Sequence, residues 1–185
     1  AAWIRPAAYA LDLLLGAPPG LPHPVRWMGA AIARAEPRFR ALSLDLRLSG
    51  ALMASGLVVL SWAVAALLLA VGRHLDPAAG AAIEVLILYF CISTRSLASE
   101  SEAIHRALFS GPLKRARKQL GRIVGRDTAD LSREQIARAT VETVAENLVD
   151  GVVAPLFFAL IGGAPLAAAY RMINTLDAMI GYRNE

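Results

Sequence analysis

At 185 residues the chain has the length of one domain, but 56% of it is hydrophobic and only 18% charged, against about 45–50% and about 25% in an ordinary soluble chain. With a mean hydropathy of +0.49, the expected solvent is a lipid bilayer. The formal net charge of +4 would suit nucleic acid only if the basic residues formed one stripe; they alternate with long apolar runs, so no nucleic acid is expected, and the charge points to membrane orientation, anionic headgroups and phosphorylated ligands. The single cysteine, Cys91, excludes an intrachain disulfide and reads as a small packed hydrophobe.

The chain opens Ala-Ala-Trp without an initiator Met, so further residues are expected upstream. A cleavable signal peptide is not expected, because Asp12 interrupts the short apolar run from Ala7 to Leu15 and Arg5 alone makes a poor basic flank. Between Pro18 and Pro24 stand four prolines in seven residues, which predicts a rigid, extended loop. His23, held between two of them, suits either a ligand contact or packing within the loop.

Gly50 to Gly72 is 23 residues without a charge, long enough at 1.5 Å per residue to cross a hydrocarbon layer about 30 Å thick. A tight polar turn (GRHLDP) follows, and 78–94 is apolar again except for Glu84, so 50–72 and 78–94 read as a transmembrane hairpin. The flanking segments 23–49 and 95–150 then lie on one side and hold 5 and 10 of the 19 Lys and Arg residues, which makes that side cytoplasmic. Glu84, an expensive group inside a span, is expected to make an interhelical hydrogen bond.

Segment 95–150 reads as cytosolic helices punctuated by Gly111-Pro112 and Gly125. Ser132 followed by Gln135 fits a capping box that starts a helix near Arg133. The cluster Lys114, Arg115, Arg117 and Lys118 suits a solvated face or headgroup contact. Segment 151–170 is uncharged, yet Pro155, Gly162-Gly163 and Pro165 break it into halves. It either spans or re-enters, turning at Gly162-Gly163 and returning Asn174 and Asp177 to the cytosolic side, and re-entry is expected because interrupted segments are tolerated where they pack in protein or line a cavity. The predicted fold is all-α: a multi-pass helical membrane protein with a cytosolic helical segment and a broken apolar segment.

The densest polar constellation is Glu142, Glu146 and Asp150, recurring at i, i+4 and i+8 with Asn147 between them. That spacing puts three carboxylates along one helical face. Such a row either points into open water or faces cations, Mg²⁺ carrying nucleotide phosphates or nearby Arg side chains. Arg171, Asn174 and Asp177 repeat every three residues and form a second row beside an apolar segment. Two such rows meeting across a break would make a pocket at the membrane surface. Arg126 after Gly125 suits a turn with a local ion pair or a phosphate contact. There is no P-loop, Rossmann fingerprint, zincin helix or nucleophile elbow.

The strings DLLLG-x-P-x-x-L-PHPVR from Asp12, GRDT from Gly125, ETVAEN-x-VDGVVAPLF from Glu142 and NTLDAMIGYRNE from Asn174 resemble the cobalamin-biosynthesis CobD/CbiB family over nearly the whole chain. The resemblance implies a multi-pass inner-membrane ligase, an adenosylcobinamide-phosphate synthase, that joins (R)-1-amino-2-propanol or its phosphate to adenosylcobyric acid with ATP and Mg²⁺. It implies Glu142, Glu146 and Asp150 as catalytic groups, with Glu146, Asp150 and Asp177 towards the metal. His23, Arg26, Arg95, Arg126, Asn147 and Asn174 would bind substrate or phosphate. Other cobalamin-assembly enzymes are implied as partners. The chain stops directly after GYRNE, so the family's C-terminal part is expected to be missing. Ala17, Leu148 and Ala178 stand where the family carries Asp, Thr or Ser, and Ser. Those departures suit an alternative, a non-catalytic inner-membrane regulator like AmpE; a transporter component is a third reading, suggested by the broken segment.

Overall fold

The computed structural model describes residues 3–17, 23–125 and 127–181, which hold helices and turns and no strand. Eight α-helices follow one another: α1 (Ile4–Leu15), α2 (Pro24–Arg40), α3 (Leu46–Leu75), α4 (Pro77–Cys91), α5 (Thr94–Ser110), α6 (Leu113–Leu120), α7 (Arg133–Leu148) and, after a π-helical turn at Val149–Val153, α8 (Ala154–Ile180). The residues of the predicted loop at 18–22 lie outside the described set; His23 is extended and α2 begins at Pro24.

Local chemistry sets several of the helix starts. Asp45 accepts from the amides of Arg47 and Leu48 to open α3, and Asp76 accepts from those of Ala78 and Ala79, with Pro77 at the first helical position of α4. Ser132 and Gln135 form the reciprocal capping box of α7. Between α4 and α5 the helix breaks at Ile92 and Ser93, so the second apolar helix ends at Cys91, three residues before the predicted boundary.

Three stretches are long and apolar enough to cross a membrane among the described residues: Leu46–Leu75, Pro77–Ser110 and Arg133–Ile180. On α3, Leu60, Leu67 and Leu75 are largely exposed, an arrangement that suits hydrocarbon and would be costly in water. Glu84 of α4 meets Arg73 of α3 in an ion pair of 2.9 Å, so its partner across the hairpin is a charged one.

The third stretch qualifies by contour length alone, because it doubles back. Gly162 and Gly163 leave helical geometry, and Gly163 adopts φ 71°, ψ −167°, a backbone region open essentially to glycine. Uninterrupted helix would separate Asp150 from Tyr170 by roughly 30 Å. Instead the Tyr170 hydroxyl donates to Asp150 Oδ1 at 3.1 Å, and the Phe158 and Tyr170 rings stack at 4.9 Å. So α8 is two arms, 154–161 and 164–180, joined by a reversal.

The arms pack through small residues. Ala159, Ala164, Ala167 and Ala168 are buried with Ile4 and Ala8 of α1, Ala65 of α3, and Leu88 and Cys91 of α4, the close approach through small side chains on which membrane helices rely. At the reversal, Arg5 of α1 donates to the Ala159 carbonyl at 3.2 Å, satisfying an acceptor that the broken helix leaves free.

The other end of α1 is fixed by Asp12, only 2% exposed. Its carboxylate accepts from the Thr94 and Arg95 amides at 2.7 and 3.3 Å, which caps α5 from a position 82 residues earlier. Removing that carboxylate with Asp12→Ala leaves two part-buried amide donors without their acceptor and is expected to cost about 1–2 kcal/mol. Asp12→Asn, which keeps an acceptor, is expected to cost less. Unfolding in mixed detergent micelles, read by circular dichroism, checks both.

Candidate active site

The reversal in α8 brings the two polar rows to one end of the molecule. Glu142, Glu146 and Asn147 come from α7, Asp150 from the π-helical turn, and Asn174 and Asp177 from the second arm of α8; all six line one cleft of 490 Å³ closed at its back by Ile123 to Gly125. Straight α-helix would aim Asp150 along the Glu142–Glu146 line. The π-helical turn from Val149 widens the backbone instead, as such turns often do at functional sites, and Asp150 meets the Tyr170 hydroxyl.

That turn is held against the α4–α5 joint. The Ser93 amide donates to the Gly151 carbonyl at 3.0 Å, and a Cβ at residue 151 would run into Ser93 Oγ, so the close approach is made at a glycine. Beside it lies a smaller cleft of 230 Å³ that shares Asn147, Asp150 and Asn174 with the first and adds Ser96 and Glu100 of α5 and Arg171 of α8.

The combined site is electrically uneven. Four carboxylates line the larger part, with no Lys or Arg lining it among the described residues, and Arg171 enters only the smaller part. Glu142 forms an ion pair of 2.8 Å with Arg138, one turn away. Glu146 and Asp177 are exposed, while Asp150, Asn147 and Asn174 are half-buried. Among the described residues no group of three His, Cys, Asp or Glu side chains is placed to hold a metal ion together. The donor set nonetheless fits Mg²⁺ chemistry, since that ion commonly binds through one or two carboxylates and completes its shell with water and substrate phosphates.

Of the cationic candidates from the sequence, the three that are described, His23, Arg26 and Arg95, line neither cleft. His23 caps α2, its Nδ1 accepting from the Val25 amide at 3.4 Å, and its ring meets Phe90 edge-on at 5.3 Å. Burial first, then the Arg171 and Arg26 cations, push its imidazole below the ordinary value, so at neutral pH it is uncharged and contributes no positive charge. Arg26 is exposed and lines neither cleft. Arg95 donates to the Leu13 carbonyl at 2.8 Å and likewise lines neither cleft. Arg126 lies outside the described residues. The sequence pattern places Arg171 in the second polar row with Asn174 and Asp177 but gives neither it nor Tyr170 a ligand or catalytic role.

The family model described as CobD/Cbib protein matches residues 6–185. The cobalamin biosynthesis protein CobD of Klebsiella pneumoniae subsp. pneumoniae is 46% identical over 181 residues, which cover 96% of this chain and 57% of that protein. CobD of Photorhabdus laumondii subsp. laumondii is 47% identical over 188 residues, covering 100% of this chain and 58% of its own length. The cobalamin biosynthesis protein CbiB of Salmonella typhimurium is 44% identical over 181 residues, with coverages of 96% and 57%. The chain thus spans somewhat over half the length of these relatives, and no solved structure matches it. A match over almost every residue, with the paired polar rows inside it, places this chain in the CobD/CbiB family of cobalamin biosynthesis.

Proposed function

We propose that the protein carries out the amide-forming step of adenosylcobalamin assembly at the cytoplasmic face of the inner membrane, joining (R)-1-amino-2-propanol or its phosphate to adenosylcobyric acid. The product is adenosylcobinamide or its phosphate. The observation that carries this reading is the meeting of two carboxylate- and amide-bearing rows in one cleft. Both rows lie in stretches that match the family.

Amide formation from a free carboxylate is uphill in water, so ATP is the expected co-substrate: the corrinoid carboxylate takes its terminal phosphoryl group, ADP leaves, the amine attacks the acyl carbon, and phosphate departs. Bound Mg²⁺ would supply charge neutralisation for the phosphates. In this reading Glu146, Asp150 and Asp177 face that cation. A neighbouring carboxylate, Glu142 or Glu146, takes the proton the ammonium must lose before it can attack. Asn147 and Asn174, half-buried at the centre of the cleft, orient substrate through their amides.

The test uses membranes carrying the protein at the full length of its relatives, supplied with adenosylcobyric acid, aminopropanol or its phosphate, ATP and Mg²⁺. Corrinoid amide should appear with wild type and fall sharply with Glu146→Gln. Equal product from both would remove Glu146 from the mechanism, and no product from wild type with either amine would sink the assignment.

A further inference from the structure

We propose that Arg171 is the oxyanion-binding residue of the site, holding a phosphate or carboxylate group of the ligand in the smaller part of the cleft; this rests on reading the cleft as the active site. Arg171 differs from the other well-placed arginines in having no committed acceptor. The side chains of Arg5, Arg95 and Arg117 end on the carbonyl oxygens of Ala159, Leu13 and Leu131 at 3.2, 2.8 and 2.9 Å. Arg171 reaches only Asn174 Oδ1, at 3.5 Å, the limit of a hydrogen bond.

Its Nε is buried and has no partner, and Arg171 forms none of the ion pairs found among the described residues. Asp150, which lines the same cleft, receives the Tyr170 hydroxyl. A guanidinium left in this condition is costly unless something negative meets it.

Its surroundings sharpen the point. On one side Arg171 lines the polar cleft with Ser96, Asn174, Asp150 and Glu100, and neither of these carboxylates forms an ion pair with it. On the other it closes a groove of 450 Å³ between α2, α3, α4 and α8, otherwise lined almost wholly by apolar side chains such as Leu57, Phe90 and Met172. Low polarity on that flank strengthens any charge interaction made on the wet one. The planar fork of arginine is suited to two parallel bonds with a carboxylate or phosphate. With Glu142, Glu146 and Asp177 confined to the larger part and Arg171 to the smaller, the cleft would align a ligand whose cationic part and oxyanion are separated, and so fix which end points towards Glu146.

The experiment uses the 185-residue chain in lipid nanodiscs with Mg²⁺, titrated separately with inorganic phosphate and with propionate, binding being read from the shift in melting temperature. Wild type should be stabilised by at least one anion. Arg171→Gln should bind it about tenfold more weakly or worse, and Arg171→Lys, which keeps the charge but loses the fork, should fall between. Binding of phosphate alone identifies a phosphoryl group as the ligand's anion, binding of propionate alone a carboxylate, and binding of both a general oxyanion seat; each supports the proposal. Should Arg171→Gln melt lower before any anion is added, the decision passes to Arg171→Lys. Affinities unchanged in the variants, or no binding of either anion to wild type, would overturn the proposal. Because no reaction is read, this result separates from the amide assay: anion binding lost in Arg171→Gln alongside inactive wild-type membranes would remove the proposed reaction and leave the anion seat standing.

Discussion

Asp150→Asn is expected to lower amide synthesis by about 10²–10³-fold while leaving the protein folded. Asp150 is the carboxylate common to both parts of the cleft, between the acidic cluster and Arg171, and the amide removes its charge with almost no change in shape. Tyr170 donates to Oδ1, a bond that an asparagine oxygen can still accept, so the π-helical turn should persist. Tyr170→Phe removes only that bond and should cost activity about 10-fold, the scale on which groups that orient a functional side chain act. Corrinoid product formation in membranes, with circular dichroism as the control for folding, measures both. Equal losses for the two variants would mean that Asp150 serves mainly to hold Tyr170.

Gly163→Val should disrupt the site without touching it. At φ 71°, ψ −167° a β-branched residue is strained by about 1–3 kcal/mol or more, and the reversal is the only reason that Asn174 and Asp177 stand beside Glu146 and Asp150. Cys91 is the sole cysteine and is buried, so a thiol introduced at exposed Glu146 or Asp177 can be followed alone. In the parent chain, Glu146→Cys and Asp177→Cys should both react with a membrane-impermeant maleimide from the same side of sealed vesicles. With Gly163→Val added, Asp177→Cys should lose that reactivity or move to the opposite side, and the melting temperature should drop. Unchanged labelling would show that the hairpin does not depend on this residue.

These expectations also mark what the amino-acid order makes legible. The α3–α4 pair, the α7 capping box and the break at Gly162-Gly163 depend on neighbours along the chain: an uncharged run, a serine three residues before a glutamine, two glycines flanked by prolines. The carboxylate row was visible for the same reason, as helical periodicity, except that the π-helical turn displaces Asp150 from the ideal line. Contacts between distant segments were not visible. Nothing around Asp12 announces that it caps a helix beginning at Thr94, nor around Leu13 that its carbonyl takes the Arg95 side chain. So Arg95, implied by the resemblance as a phosphate ligand, is committed to a carbonyl of α1, whereas among the described residues the cation lining the cleft is Arg171, which the spacing places in the second polar row without a ligand role.

The Asp12 cap also orders assembly. The α3–α4 pair can form from adjacent residues, but α5 is capped only when the Asp12 carboxylate of α1 arrives across about eighty residues, a slower closure by the usual dependence on sequence separation. One wall of the cleft, that of Ser96 and Glu100, is therefore expected to settle only once the Asp12 contact has formed, however early the α3–α4 pair is in place.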